Sequence, residues 1–283
     1  MTQTQPIVSI ILAVRNDAAG LKDTIAAIEA QIDTRWRMYI VDDASDDDTA
    51  ETAAEIAKEK ERIVLIRASE SGGIARARNV AIQASNEPFV LCLEAGDIPA
   101  SGMLARCLGL LIANGRLDAV FVRPEFTDAD LDEETINKAV NASAECAVIR
   151  RRALLFSGGW PVDDAFTGVA ASASGAALVQ LLNRHFNIAF VNEQLIAKRW
   201  CDGVPLTEWA RNLTIENGRI ANTGDDDPIV KAAKAIDVRL NTQRQRIRDL
   251  IMLSGLSLSE IHALLQNQGA ARQPSVQEEA KAA

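Results

Sequence analysis

Short apolar runs alternate with amphipathic stretches along the amino-terminal half of the chain. Ile7 to Val14 is a β-branched run without polar alternation, which predicts a strand buried on both faces near the centre of a sheet. Ala18 to Gln31 carries apolar residues at three- and four-residue spacing, which predicts a helix. The same patterns predict strands at 38–41, 63–66, 89–93 and 119–122, and helices at 49–60, 74–84 and 102–113. This order favours an α/β fold with a mostly parallel sheet flanked by helices.

The pattern changes after Arg123. Residues 128–137 are acidic and predicted to form a loop, whereas 146–149 is a short apolar run. Helices are predicted at 151–156 and 170–184, a strand at 188–191, and two or three further helices between 228 and 266. We therefore expect a main domain over 1–203, a helical extension over 204–267 and a disordered tail over 268–283, because the last residues are polar and lack apolar periodicity.

Charge and cysteine usage exclude several classes of protein. The net charge of −9 argues against a nucleic-acid role, because phosphate backbones are bound through clustered Lys and Arg. Four cysteines without a C-x-x-C pair, and two histidines, give no zinc-ligand spacing. Free thiols in a reducing compartment are expected. The amino terminus lacks a basic region and a long apolar run, so we expect a cytoplasmic protein, with a peripheral position at the inner membrane face as a second option.

Polar residues follow the predicted strands at four places, which are Arg15-Asn16, Asp42-Asp43, Gly72 to Asn79, and Glu94 to Asp97. In an open parallel sheet, ligands bind outside the carboxyl ends of the strands. A dinucleotide-binding oxidoreductase would place a G-x-G-x-x-G turn after the first strand. The segment ARNDAAG lacks that turn, so this class is disfavoured.

Five segments in order resemble family 2 glycosyltransferases with a GT-A (Rossmann-like) fold, over about residues 6 to 200. They are PIVSIILAVRN, YIVDDASDDDT, SGGIARARNVAI, FVLCLEAGDIPASGML and RRALLFSGGW. The resemblance implies inverting transfer from a nucleotide-diphosphate sugar, of the hexosyltransferase type. It also implies nucleotide contacts from Val14, Asn16, Asp42, Gly72, Gly73, Arg78 and Glu94.

Within this resemblance, three kinds of contact are expected. The Asp42 carboxylate would accept a base N–H, a charge-assisted hydrogen bond of about 1.5–3 kcal/mol. Gly72 and Gly73 precede a helix, where free backbone N–H groups can receive a diphosphate. Arg78, about one turn further, would face Glu94 and Asp97 or the diphosphate itself.

The family's metal and base motifs are only partly retained. Its metal-binding segment resembles Asp-x-Asp-Asp, which suits Mg²⁺ or Mn²⁺. Here Gly96 supplies no central ligand, and only Glu94 and Asp97 remain as metal candidates. The family also has a Glu-Asp pair, and one of its carboxylates is the general base. The corresponding segment here is Ala171 to Ala177, which holds no titratable residue. A positioned base contributes about 10²–10⁴ in rate. Asp163 and Asp164 are the nearest substitutes.

Two functions stay open at this stage. The first is an active glycosyltransferase acting on a glycan, lipid or protein acceptor. The second is an inactive GT-A domain that serves as a nucleotide-binding or scaffold subunit. Apolar residues between Ile229 and Leu265 form helical stripes. Two interpretations follow, an intramolecular cap over the sheet, or an apolar surface that mediates self-association or docking to a protein partner.

Overall fold

The computed structural model describes residues 5–126, 132–140, 143–162, 172–199, 215–216, 219–220, 238, 241 and 245. Its strands are β1 Val8–Val14, β2 Trp36–Asp42, β3 Ile63–Arg67, β4 Phe89–Glu94, β5 Ile98–Pro99, β6 Ala119–Phe126, β7 Ala147–Arg150, β8 Ile188–Lys198, β9 Ile215–Glu216 and β10 Arg219–Ile220. Its α-helices are α1 Ala18–Glu29, α2 Thr49–Glu59, α3 Ile74–Ala84, α4 Met103–Ala113, α5 Glu133–Val140, α6 Arg151–Phe156 and α7 Ser172–His185, with a 3-10 turn at Ala144–Cys146.

The main sheet has eight strands in the order β3-β2-β1-β4-β7-β6-β8-β5. Strands β3, β2, β1 and β4 run parallel, and so do β6 and β8. Strand β7 is antiparallel to both of its neighbours, and β5 is antiparallel to β8. The carboxyl ends of β1, β2 and β4 therefore meet at one edge of the sheet, which is where a ligand site is expected.

Strand β1 is buried on both faces. Its residues alternate between two apolar clusters, with Ile10 and Leu12 in one and Ile11 and Ala13 in the other. Helices α1 and α4 cover the first face, whereas α3 and α7 cover the second. The apolar run of β1 is continuous because helices cover both faces of this strand.

Two elements differ from the sequence-based prediction. The acidic segment predicted to be a loop contains helix α5, because Asp132 accepts a hydrogen bond from the Thr135 N–H at 2.7 Å and so caps a helix that starts with Glu133. Strand β8 continues to Lys198, well beyond the predicted end at Val191, because it pairs with both β6 and β5.

The chain divides into two compact units, Met1–Ile236 and Asp237–Ala283. Of the second unit, Val238, Asn241 and Gln245 are described, and all three are helical and exposed. The predicted boundary near residue 203 and the tail from 268 lie outside the described residues, so both stay predictions. Among the helices that the structure describes, none has the length and hydropathy to cross a bilayer.

Candidate functional site

The turns that follow β1 and β2 are joined by hydrogen bonds at the carboxyl edge of the sheet. The Asn16 N–H donates to Ser45 Oγ at 3.0 Å, and the Asp46 N–H donates to Asn16 Oδ1 at 2.8 Å. Asn16 and Ala44 both have φ of 54°, a left-handed conformation that costs energy for a residue with a side chain. Two strained residues at adjacent strand ends are typical of a functional site.

Asp42 ends β2 directly beside Val14, which ends β1. Its carboxylate is almost fully buried and accepts a hydrogen bond from the Ser45 N–H at 3.3 Å. That is the one donor to the side-chain carboxylate of Asp42 within the part of the chain that the structure describes. The predicted base-binding carboxylate therefore lies at the expected strand end, next to Val14 and close to the turn that holds Asn16.

Asp43 uses its carboxylate to hold the glycine turn before α3. Its Oδ1 accepts from the Gly72 N–H at 2.8 Å, and its Oδ2 accepts from the Gly73 N–H at 2.9 Å and from Ser71 Oγ at 2.7 Å. The reasoning that these two N–H groups are free for a diphosphate is therefore wrong for this conformation. A nucleotide role for Gly72 and Gly73 stays a prediction that requires this turn to rearrange.

Arg78 lies on α3 and is completely buried. Its guanidinium pairs with Glu94 at 2.7 Å and with Glu145 at 3.0 Å, and it stacks 4.1 Å from the centre of the Trp160 ring. The carboxylate of Glu94 was one of the expected contacts, but Asp97 pairs elsewhere. Through its ion pair with Glu94, Arg78 supports the end of β4 from the protein interior. A direct contact between Arg78 and the nucleotide stays a prediction.

The segment Glu94 to Asp97 forms a closed turn against α1. The Glu94 N–H donates to Asp97 Oδ2 at 2.9 Å, and the Gly96 N–H donates to Thr24 Oγ1 at 2.9 Å. The Lys198 ammonium lies 2.9 and 3.0 Å from the two carboxylate oxygens of Asp97. Both side chains of this ion pair are at least 95% buried.

A divalent metal ion held by both carboxylates does not fit this turn. Both oxygens of Asp97 contact Lys198, one oxygen of Glu94 contacts Arg78, and Gly96 contributes no ligand. Hard cations such as Mg²⁺ prefer near-octahedral oxygen coordination, so an ion bound to both Asp97 and Glu94 would have to displace the buried Lys198. Among the described residues, no group of three His, Cys, Asp or Glu side chains could hold a metal ion.

The buried cations also change the acidity of their partners. Burial alone would raise the pKa of Glu94, but the charges of Lys198 and Arg78 outweigh it and hold that pKa below its ordinary value. Burial opposes ionisation of Lys198, whereas Asp97, Glu94 and Glu145 raise its pKa above the ordinary value. Burial raises the pKa of Asp97, although the charge of Lys198 opposes this shift. The charged side chains of this site are therefore paired with one another within the protein.

The loop that follows α6 is connected to α3 and α7. Asn79 accepts from the Trp160 N–H at 2.7 Å and donates to the Trp160 carbonyl at 2.8 Å, while Trp160 Nε1 donates to Ser174 Oγ at 3.0 Å. The base candidates Asp163 and Asp164 lie outside the described residues. Both stay predictions, supported by their position in the sequence directly after this anchored Trp160.

Sequence reasoning missed two charged members of the site, Glu145 and Lys198. Glu145 is a single charged residue in the apolar segment AECAVI, and Lys198 stands with Arg199 at the end of the apolar segment LIAKRW. That is a weak signal, because a charged residue at a strand end is usually solvated. Their partners lie far away in the sequence, and Asp97 and Lys198 are separated by 101 positions.

The expectation of free thiols is confirmed for the three cysteines that the structure describes. Cys92, Cys107 and Cys146 are free and buried. Burial raises the pKa of Cys92 and of Cys107 to about 12, so neither thiol forms the reactive thiolate at neutral pH. Nucleophilic catalysis by these cysteines is therefore disfavoured.

Curated proteins with related sequences include glycosyltransferases. Glycosyltransferase AglE of Haloferax volcanii is 28% identical over 129 residues, which are 45% of this chain and 42% of that protein. The chain spans about two fifths of the length of the first curated relatives that it matches.

Solved structures agree with the fold. The mannosyltransferase PcManGT from Pyrobaculum calidifontis, in complex with GDP-Man and Mn²⁺, has a TM-score of 0.57 at 19% identity, covering 96% of this chain and 82% of that one. Staphylococcus aureus TarS 1-349 in complex with UDP-GlcNAc has a TM-score of 0.57 at 16% identity, covering 71% and 60%. These identities establish the GT-A fold alone.

The model of the family described as glycosyl transferase family 2 matches residues 9–160. This range is more than half of the chain, and it contains nearly all of β1, together with β2, β4, the glycine turn and the Glu94 to Asp97 turn. The chain belongs to glycosyl transferase family 2.

Proposed function

We propose that this chain binds a nucleoside-diphosphate sugar at the carboxyl ends of β1, β2 and β4 and transfers the sugar to an acceptor with inversion. The observation that carries the proposal is the buried Asp42 carboxylate, which lies beside Val14 within the family-matched region. The neighbours' complexes with GDP-Man and UDP-GlcNAc support a nucleotide sugar as the donor class. A glycan, lipid or protein acceptor remains open, as does a protein partner of residues 204–267.

A nucleotide titration tests the binding half of this proposal. We expect at least one of UDP, GDP and dTDP to bind the full chain in calorimetry. The substitution Asp42→Ala is expected to weaken that binding by about tenfold to a hundredfold, because it removes one charge-assisted hydrogen bond to the base. The change Asp23→Ala on the exposed face of α1 is the matched control and should leave the affinity unchanged. Absence of heat with all three nucleotides would overturn the proposal.

Base catalysis is assigned to Asp163 or Asp164. With the donor identified by titration, we expect Asp163→Asn or Asp164→Asn to slow sugar transfer by about a hundredfold, at the lower end of the usual contribution of a general base. Nucleotide affinity should stay within twofold of the parent, because these residues act on the acceptor hydroxyl. The readout is transfer or donor hydrolysis measured by release of the nucleoside diphosphate. Equal rates in both variants and in the parent would remove the two aspartates from the mechanism.

A second function is favoured by one observation, namely that buried protein cations already occupy the carboxylates of Glu94 and Asp97. A domain that binds nucleotide without transferring sugar would retain the Asp42 contact and lack turnover. Nucleotide binding together with no transfer or hydrolysis above background, in the parent chain, would favour this scaffold role.

A further inference from the structure

Gly96 lies where the family's metal motif carries its central acidic side chain, and an arginine occupies the space above it. Gly96 has φ of 90°. A Cβ atom built on Gly96 would lie 3.3 Å from Arg199 Nη2 and 3.4 Å from Arg199 Cζ. A side chain at position 96 would therefore meet the guanidinium. The protein therefore places a cation close to where a metal ligand is missing.

Arg199 is the residue directly after β8, so its backbone is positioned by the same strand that buries Lys198. Its side chain is about half exposed, and its Nη2 donates to Asp17 Oδ2 at 2.5 Å. Exposed ion pairs of this kind contribute little net free energy, so a more strongly charged ligand can compete with Asp17. A guanidinium can also donate two parallel hydrogen bonds to phosphate oxygens.

The charged side chains that pair around the Glu94 to Asp97 turn are not available for this task. The cations are Arg78 and Lys198, and the carboxylates are Glu94, Asp97 and Glu145. Two positive and three negative charges give this cluster a net charge of −1, so it cannot neutralise a diphosphate by itself. A further cation has to come from a metal ion, which does not fit the turn, or from the protein.

We propose that Arg199 contacts the diphosphate of the donor and supplies the positive charge that a divalent metal would otherwise supply at this turn. The inference rests on the proposed function, since it requires a nucleoside diphosphate at this edge of the sheet. It adds that binding is independent of metal, and it names the residue responsible. Lys198 and Arg78 are positioning residues, which keep Asp97 and Glu94 from repelling the diphosphate.

Calorimetry with UDP, GDP and dTDP, in buffers containing either EDTA or Mn²⁺, tests the proposal on the full chain. We expect the nucleotide that binds to do so in EDTA, with a Kd within twofold of that in Mn²⁺. Arg199→Gln should raise this Kd by about tenfold to a hundredfold, because a charge-assisted contact to phosphate is lost. Arg199→Lys keeps the positive charge but cannot donate two parallel hydrogen bonds to a phosphate. Its Kd should therefore lie between that of the parent and that of Arg199→Gln. The corresponding nucleoside monophosphate should lose less affinity than the diphosphate in Arg199→Gln.

Arg106→Gln is the matched control. Arg106 forms an exposed ion pair with Glu193 at 3.0 Å, and its exposure is close to that of Arg199. This control should leave the Kd unchanged. Thermal midpoints of Arg199→Gln and Arg106→Gln equal to that of the parent protein would show that both variants fold. Binding that requires Mn²⁺, or an unchanged Kd in Arg199→Gln, overturns the inference and leaves the proposed function standing. Absence of binding in both buffers overturns the proposed function and this inference with it.

Discussion

Replacing Arg78 with methionine is expected to lower the free energy of unfolding by about 3–5 kcal/mol, the usual cost of removing one partner from a buried ion pair. Methionine fills much of the volume but leaves the carboxylates of Glu94 and Glu145 without their cation. The stacking of the guanidinium on Trp160 is lost as well. Urea unfolding of the full chain at pH 7, followed by tryptophan fluorescence, measures the change.

The exposed pair of Arg106 and Glu193 provides the control for Arg78. Arg106→Met should change stability by no more than about 0.5 kcal/mol, because solvent screens exposed charges. Adding Glu145→Gln to Arg78→Met should recover part of the loss, since one of the two unpaired carboxylates is then neutral. A loss below about 1 kcal/mol for Arg78→Met alone would show that the ion pairs with Glu94 and Glu145 contribute little.

The pH dependence of the Arg78 effect follows from Glu94. Its pKa in the folded protein is lowered from the ordinary 4.5, chiefly by Lys198 and Arg78 acting against burial. A group with a depressed folded pKa stabilises the fold above its unfolded pKa, and this contribution is lost as the pH falls through the folded pKa. The stability difference between the parent and Arg78→Met should therefore be largest near neutral pH and should shrink below about pH 4.5.

The first half of the sheet could be predicted from the sequence because its signals are local. Helix α3 has the predicted bounds, 74–84, and the β-branched run of β1 is buried on both faces as expected. Asp42 lies at its predicted strand end for the same reason. An aspartate that directly follows an apolar strand segment must lie at the carboxyl end of that strand.

The charge pairing of the site could not be predicted, because it depends on strand order. In the antiparallel pair of β5 and β8, Ile98 lies opposite Ala197, and this register brings Asp97 next to Lys198. A shift of one residue would turn Lys198 to the other face of the sheet. The register arises from pairing between segments about a hundred residues apart, which no periodicity in either segment records. The hydrogen bonds from the Gly72 and Gly73 N–H groups to Asp43 could not be predicted for the same reason, because they join different segments of the chain.

The second large effect is expected at Lys198. Its side chain and that of Asp97 form an ion pair in which both are at least 95% buried. Lys198→Met should destabilise the fold by about 3–5 kcal/mol at pH 7, because it leaves the Asp97 carboxylate unpaired in a dry environment. The neighbouring acids raise the pKa of Lys198 above its ordinary 10.5. Its contribution is therefore present from neutral pH up to about pH 10.5 and is lost as the pH rises through the folded pKa.

The double variant Lys198→Met with Asp97→Asn separates charge from packing at this pair. Asparagine retains the size of Asp97 and its acceptor for the Glu94 N–H, but it carries no charge that needs a cation. If charge dominates, the double variant should be at least about 1–2 kcal/mol more stable than Lys198→Met alone, as coupled neighbours in a mutant cycle behave. Additive losses from the two substitutions, measured by urea unfolding at pH 7, would instead mean that Lys198 stabilises the end of β8 through its aliphatic stem. In that case the carboxylate of Asp97 would not depend on Lys198, and the exclusion of a metal ion from the turn would rest on Arg78 and Gly96 alone.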